Sequence, residues 1–230
     1  MIKKEKRAIK DYFGQNVEPA PLELDEAKLE DLKTKGLECH FLPQVTYEDF
    51  PKGSLSDYFL KLAKQSSLRD DSLGISPGWR LVETEPKPPK GRIWLYKNPL
   101  FDFIEKLGVE SRGLCGLSPE LKSVRWNELE KRIGTTREEI DALLAKDFNL
   151  RSPTYLEYVY LGECFYNDWG ETKTWEWLRD ELEDGRYLAA GFKRVKSLGA
   201  DPPDHWSTIL GYRLILELNP SNKAGSGGAL

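Results

Sequence analysis

Four of the chain's seven tryptophans, Trp169, Trp175, Trp177 and Trp206, stand beyond residue 168, in less than a third of the 230 residues. Gly170, Gly185, Gly191, Gly199 and Gly211 are interleaved with them. Glycine at this density interrupts helices and long ladders. The segment must therefore be built largely of turns and irregular backbone, whose ordering entropy something has to offset. Tryptophan suits that task, because each indole buries a large area and its N–H can donate to a loop carbonyl. Trp175 and Trp177 share parity in an extended chain, which predicts that both face the core. Gly185, Gly191 and Gly211 fit tight turns. Arg213, just beyond Gly211, is expected to fork onto buried loop carbonyls or a carboxylate. The last element is read as one half-buried strand, with Tyr212, Leu214, Leu216 and Leu218 alternating with Arg213, Ile215 and Glu217.

The rest of the chain reads as helices and short strands, an α+β composition. Residues 1–20 are charged and then polar up to Pro19 and Pro21, and are expected to form a mobile arm. A helix is predicted over 24–35 and an edge strand over 38–45. A second helix starts at Ser54, with Ser54 and Asp57 as a capping pair, and a strand covers 78–84. Further amphipathic helices are expected over 100–107, 118–133 and 136–144. A helix over 155–166 follows Ser152-Pro153 and is apolar nearly all round, hence central. Residues 21–219 form one domain, and the Gly/Ser/Ala-rich stretch 220–230 is expected to be disordered.

Composition excludes several chemistries. At 39% apolar and 31% charged residues the chain is not a disordered one, and no apolar run is long enough for a transmembrane helix. A net charge of −4 gives no pull toward nucleic acid. The three cysteines, Cys39, Cys115 and Cys164, form no Cys-x-x-Cys pair, so a structural zinc site of ordinary spacing is not expected. Their odd number and the absence of a signal-like start predict reduced thiols and a cytoplasmic chain. Cys39 and His40 are adjacent, which on a strand points them to opposite faces. Gly-x-Ser-x-Gly, Walker and Gly-x-Gly-x-x-Gly motifs are missing. No catalytic residue, cofactor or metal is expected.

From Leu150 onward a series of short motifs stands in a definite order: Leu-Arg-Ser-Pro-Thr-Tyr, Leu161-Gly162-Glu163, Asp168-Trp169-Gly170-Glu171-Thr172, Thr174-Trp175-Glu176-Trp177 with Asp180, and Glu183-Asp184-Gly185-Arg186. Leu210-Gly211-Tyr212-Arg213-Leu214 closes it, and Ser111-Arg112, Ser118-Pro119-Glu120 and Trp126 precede it. Over roughly residues 76–218 this order resembles the variable proteins of diversity-generating retroelements and their fixed relatives. The resemblance implies a C-type-lectin-type fold, related to that of formylglycine-generating enzymes. It also implies a small irregular antiparallel sheet, a non-enzymatic ligand-binding role, and a variable or ligand-binding region within 176–213. The chain has Ala189-Ala190-Gly191 where the family usually has a Gly-Gly step. Lysine codons at 193 and 196 cannot arise by adenine mutagenesis of an asparagine AAC codon. Both a diversified target and a fixed relative stay open.

The candidate ligand contacts are Tyr187, Phe192, Lys193, Arg194, Lys196, Asp204 and His205, a mixture of aromatic and charged side chains suited to a binding face. The scaffold residues are Trp175, Trp177, Gly185, Gly211 and Arg213. The partner is expected to be a protein or another macromolecule. The competing reading of the same stretch is a solvated hairpin with Phe192 and Trp206 turned inward. A viral or mobile-element structural or receptor-binding protein, and an enzyme of the formylglycine-generating or sulfoxide-synthase type, are the alternative functions. The enzyme would need a reactive cysteine pair or a histidine-rich metal centre.

Overall fold

The computed structural model describes residues 1–22, 24–86, 150–202 and 210–218, together with Leu100. The helices expected over 100–107, 118–133 and 136–144 lie outside this set, as do Cys115, Asp204, His205, Trp206 and the 220–230 tail. Among the described residues the architecture is α+β, with two four-stranded sheets and a two-stranded ribbon.

The first helix, α1 (Ile2–Phe13), occupies the stretch expected to be a mobile arm. Ile9 and Glu5 are both fully buried. Glu5 accepts the backbone N–H of Phe41 at 3.2 Å and faces His40 Nδ1 at 3.2 Å, while His40 Nε2 lies 2.6 Å from the Tyr166 hydroxyl. A carboxylate on an otherwise charged helix thus covers an outward-facing N–H of a strand edge, a vulnerable part of any sheet. Helix α2 (Glu26–Thr34) follows, capped by Asp25, and then strand β1 (Leu37–Leu42).

Strands β2 (Val45–Thr46) and β3 (Gly74–Ile75) form the ribbon, with α3 (Asp57–Lys64) between them. Helix α3 starts later than Ser54 suggests. Ser56 Oγ accepts from Phe59 N at 3.1 Å, whereas Ser54 donates to the Pro51 carbonyl. The expected stripe is present, with Phe59, Leu62 and Ala63 buried.

Strands β4 (Gly78–Glu83), β5 (Leu150–Arg151) and β10 (Ile215–Leu218) join β1 in the order β1-β4-β10-β5, every pair antiparallel. Strand β1 is therefore an edge strand, as Pro43 implies, and β4 separates it from β10. Helix α4 (Tyr155–Cys164) is central as expected, and Tyr155 through Gly162 are all buried. Its cap is Thr154, one residue beyond Ser152-Pro153, in a reciprocal box with Glu157.

The second sheet contains β6 (Trp175–Glu181), β7 (Tyr187–Ala190), β8 (Leu198–Asp201) and β9 (Leu210–Tyr212), in the order β8-β7-β6-β9. It is antiparallel except for β6 and β9, which run parallel. Gly185, at φ 79°, turns the chain between β6 and β7, as its position implies. Gly211 does not make a turn; it pairs with Glu176 inside β9.

The single terminal strand expected over 212–218 is instead two strands in different sheets. The chain leaves β9 at Tyr212, crosses at Arg213-Leu214, and enters the first sheet as β10. Since β10 is an inner strand, Ile215 and Leu216, of opposite parity, are both fully buried. Alternation along the sequence does not reveal a change of sheet.

Trp177 is 1% exposed, whereas Trp175 is only half-buried and stacks on Phe192 with ring centroids 5.3 Å apart. Trp177→Ala is expected to cost about 3–5 kcal/mol in urea denaturation, and Trp175→Ala about 1 kcal/mol. Equal losses in the two variants would contradict this division of roles.

Candidate functional site

The site begins with a buried charge. Arg213 is 0% exposed, and its guanidinium donates to Glu176 twice, at 2.7 and 3.1 Å. It also donates to the carbonyl oxygens of Glu83 at 2.5 Å and Glu85 at 3.0 Å. The plane of Trp169 lies beneath it, 3.6 Å from Cζ to the ring centroid, an arrangement that favours a desolvated cation. Burial alone would lower the Arg213 pKa, but the Glu176 carboxylate overrides that and raises it. The Tyr158 hydroxyl donates to Glu176 at 3.1 Å, and Trp169 Nε1 donates to the Thr84 carbonyl at 2.8 Å. The expected fork of Arg213 onto carbonyls and a carboxylate is therefore realised, with both kinds of acceptor at once.

This cluster fixes Trp169 and Tyr158, which support the loop 191–197 between β7 and β8. A Cβ on Gly170 would stand 2.2 Å from the backbone nitrogen of Val195, so the loop lies directly on that glycine. A Cβ on Gly162 would meet Val195 Cγ1 at 2.5 Å, and one on Gly191 would meet the Tyr158 hydroxyl at 2.3 Å. Lys193 N donates to the Thr172 carbonyl at 2.9 Å, and Tyr155 Oη donates to the Lys196 carbonyl at 2.9 Å. Gly191 N to Ser197 O and Ser197 N to Arg194 O close the loop on itself. The loop is thus held along its length by α4, by the turn around Trp169 and by its own backbone.

The candidate contact residues divide into four groups. Lys193 and Arg194 are exposed, and Phe192 is half-buried between Trp175 and the Lys193 ammonium, which lies 5.4 Å from its ring centroid. Lys196 is partly buried, and its ammonium donates to the Gly53 carbonyl at 2.6 Å, so its charge is committed to the scaffold. Tyr187 is only 8% exposed, on the inner strand β7, and is a core residue. Asp204 and His205 fall outside the described residues. The glycine contacts at 162 and 170 had no signal in the sequence beyond punctuation; that a loop lands on them depends on long-range packing.

Two cysteines are described, and Cys39 is buried. Burial, followed by nearby Glu163, pushes the Cys164 thiol well above its ordinary range, away from the thiolate form that reacts. His40 is fully buried against α1 and bonds to Glu5 and Tyr166. Among the described residues no group of His, Cys, Asp and Glu has a metal-binding arrangement, and no helix is long and apolar enough to cross a membrane. No family model matches the sequence, and no curated protein or solved structure matches it significantly.

Helix α4, which bears the loop, is itself tied down by charge. Arg151 makes a bidentate pair with Glu157 at 2.6 and 2.7 Å. Burial alone would raise the Glu157 carboxyl, but Arg151, with Arg80 and the Thr154 N–H, brings it down to about 2. A carboxyl lowered on folding stabilises above its unfolded value of about 4.3 and loses that contribution as pH falls toward 2. Asp180, which accepts Tyr155 N at 2.6 Å, acts in the opposite sense: burial raises it to about 6. Its ionisation weakens the fold as pH rises from about 4 to 6. Urea midpoints should therefore be highest near pH 4–5 and fall below it, with Glu157→Gln removing about 3 kcal/mol of the acid-side loss. An acid limb unchanged in Glu157→Gln would contradict the assignment.

Proposed function

We propose that this chain is a non-enzymatic binding protein that presents Phe192, Lys193 and Arg194, on the loop 191–197, to an acidic macromolecular surface. The scaffold is of the C-type-lectin type, and the chain is a fixed relative of the variable proteins of diversity-generating retroelements. The observation that carries the reading is the direct seating of the loop backbone on Gly170. A loop ordered in advance gives up little entropy on binding, so its contacts appear as affinity. Lys193 and Arg194 have no ion pair with any described residue, which leaves two cations and a half-buried ring for a partner. Opposite charge on the partner then provides steering and register. The two motifs most characteristic of the resemblance, Trp-Glu-Trp and Gly-Tyr-Arg, meet through Glu176 and Arg213, which also supports the scaffold reading.

Poly-L-glutamate immobilised on a sensor surface serves as a carboxylate-rich probe at low ionic strength. The chain should bind it, and the double variant Lys193→Glu/Arg194→Glu should lose at least about tenfold in affinity with an unchanged melting temperature. Gly170→Ala should weaken binding with both cations still present, because the loop must lift. Undiminished binding in the charge-reversed variant would refute the assignment of this face.

A further inference from the structure

A cavity of about 820 Å3 opens among the first sheet, the β2–β3 ribbon and the start of α4. None of the loop 191–197 lines it. We propose that it binds a small zwitterion, an amino acid or short peptide, with the carboxylate on Arg80 and the ammonium group on Asp70.

Arg80 is only 5% exposed, and its Nε has no hydrogen-bond acceptor. Its terminal nitrogens donate to the carbonyls of Trp79 and Ser76, each at 3.2 Å. The two nearest carboxylates pair with it by charge but stand outside hydrogen-bonding distance, Glu157 at 3.6 Å and Glu217 at 3.8 Å. Glu157 accepts two hydrogen bonds from Arg151 and one from the Thr154 N–H, and Glu217 accepts from Arg151. A guanidinium has five N–H donors, so Arg80, which lines the cavity, retains unused ones. Its fold-back depends on Gly78, at φ 150°, where a Cβ would stand 2.8 Å from Nη1. Nη1 and Nη2 each use one N–H on a carbonyl and keep another, and a planar carboxylate offers the matching pair of acceptors.

The lining as a whole holds Arg80, Arg151 and Arg179 against five carboxylates, so its net charge disfavours a simple anion. Asp71 is paired with Arg179 at 3.1 Å, and Asp49 caps Thr46, whereas Asp70 has no ion pair among the described residues. A ligand with an anionic and a cationic group matches Arg80 and the exposed Asp70. The volume is that of an ordinary small-molecule site.

Calorimetric titration of the full chain tests this with glycine, 4-aminobutyrate, 6-aminohexanoate and glycylglycine, and with acetate and methylamine as half-ligands. At least one zwitterion should bind with Kd below about 1 mM, and the half-ligands at least about tenfold more weakly. Arg80→Met should abolish the heat. Asp70→Asn, at an exposed carboxylate outside the core, should weaken binding about tenfold and keeps the test decisive if the arginine variant does not fold. No binding by any zwitterion, half-ligands that bind as well, or an unchanged affinity in Asp70→Asn overturns the proposal. The Lys193→Glu/Arg194→Glu variant should retain the full heat, so this site and the loop face succeed or fail separately.

Discussion

Two sheets that share no strand must be held to each other by side chains, and in this chain the fully buried Arg213–Glu176 pair occupies the crossing point. Arg213 stands where the backbone leaves β9 and enters β10, and Glu176 lies on β6 of the second sheet. The remaining donors of the guanidinium take the carbonyls of Glu83 and Glu85 at the end of β4, in the first sheet. A charge in such a position carries a large desolvation cost, offset only when the partner is close and further hydrogen bonds surround it. The bidentate carboxylate and the two carbonyls take four of the five N–H donors, and the Trp169 ring covers the guanidinium plane. Replacing one member leaves the other charge stranded, so the pair acts as a register pin as well as a contact.

The loop 191–197 inherits its order from this pin. Trp169 stacks on Tyr166 as well as beneath Arg213, and the turn that carries it ends in the Gly170 surface on which Val195 rests. Tyr158 reaches both Glu176 and the space beside Gly191. The charged centre is thus one side chain removed from the loop at two places. The polar cavity draws on a different set of groups, the Arg151–Glu157 pair and the unsatisfied Arg80, and shares with the loop only the helix α4.

Much of this arrangement was legible in the sequence where the signal was local. The cap-rich start and all-round apolarity of α4, the parity of Trp177, the turn at Gly185 and the fork of Arg213 each follow from one short stretch. Other features depend on partners far along the chain. Helix α1 has only Ile2, Ile9, Tyr12 and Phe13 as apolar anchors, and it docks partly through Glu5, a residue that composition assigns to solvent. Tyr187 resembles a contact residue until β6 and β8 flank it. The break between β9 and β10 is hidden because alternation continues across Arg213. Arg80 looks like any strand arginine until Glu157 and Glu217 are found to be occupied by Arg151.

The measurement that bears most directly on the central claim is a double-mutant cycle on the buried pair, with Arg213→Met, Glu176→Gln and the combined variant compared by urea denaturation. Each single substitution should cost about 3–5 kcal/mol, and the double should cost well under their sum, because neither charge is then left without its partner. Additive losses, or single losses below about 1 kcal/mol, would mean that the two sheets are joined by something other than this ion pair.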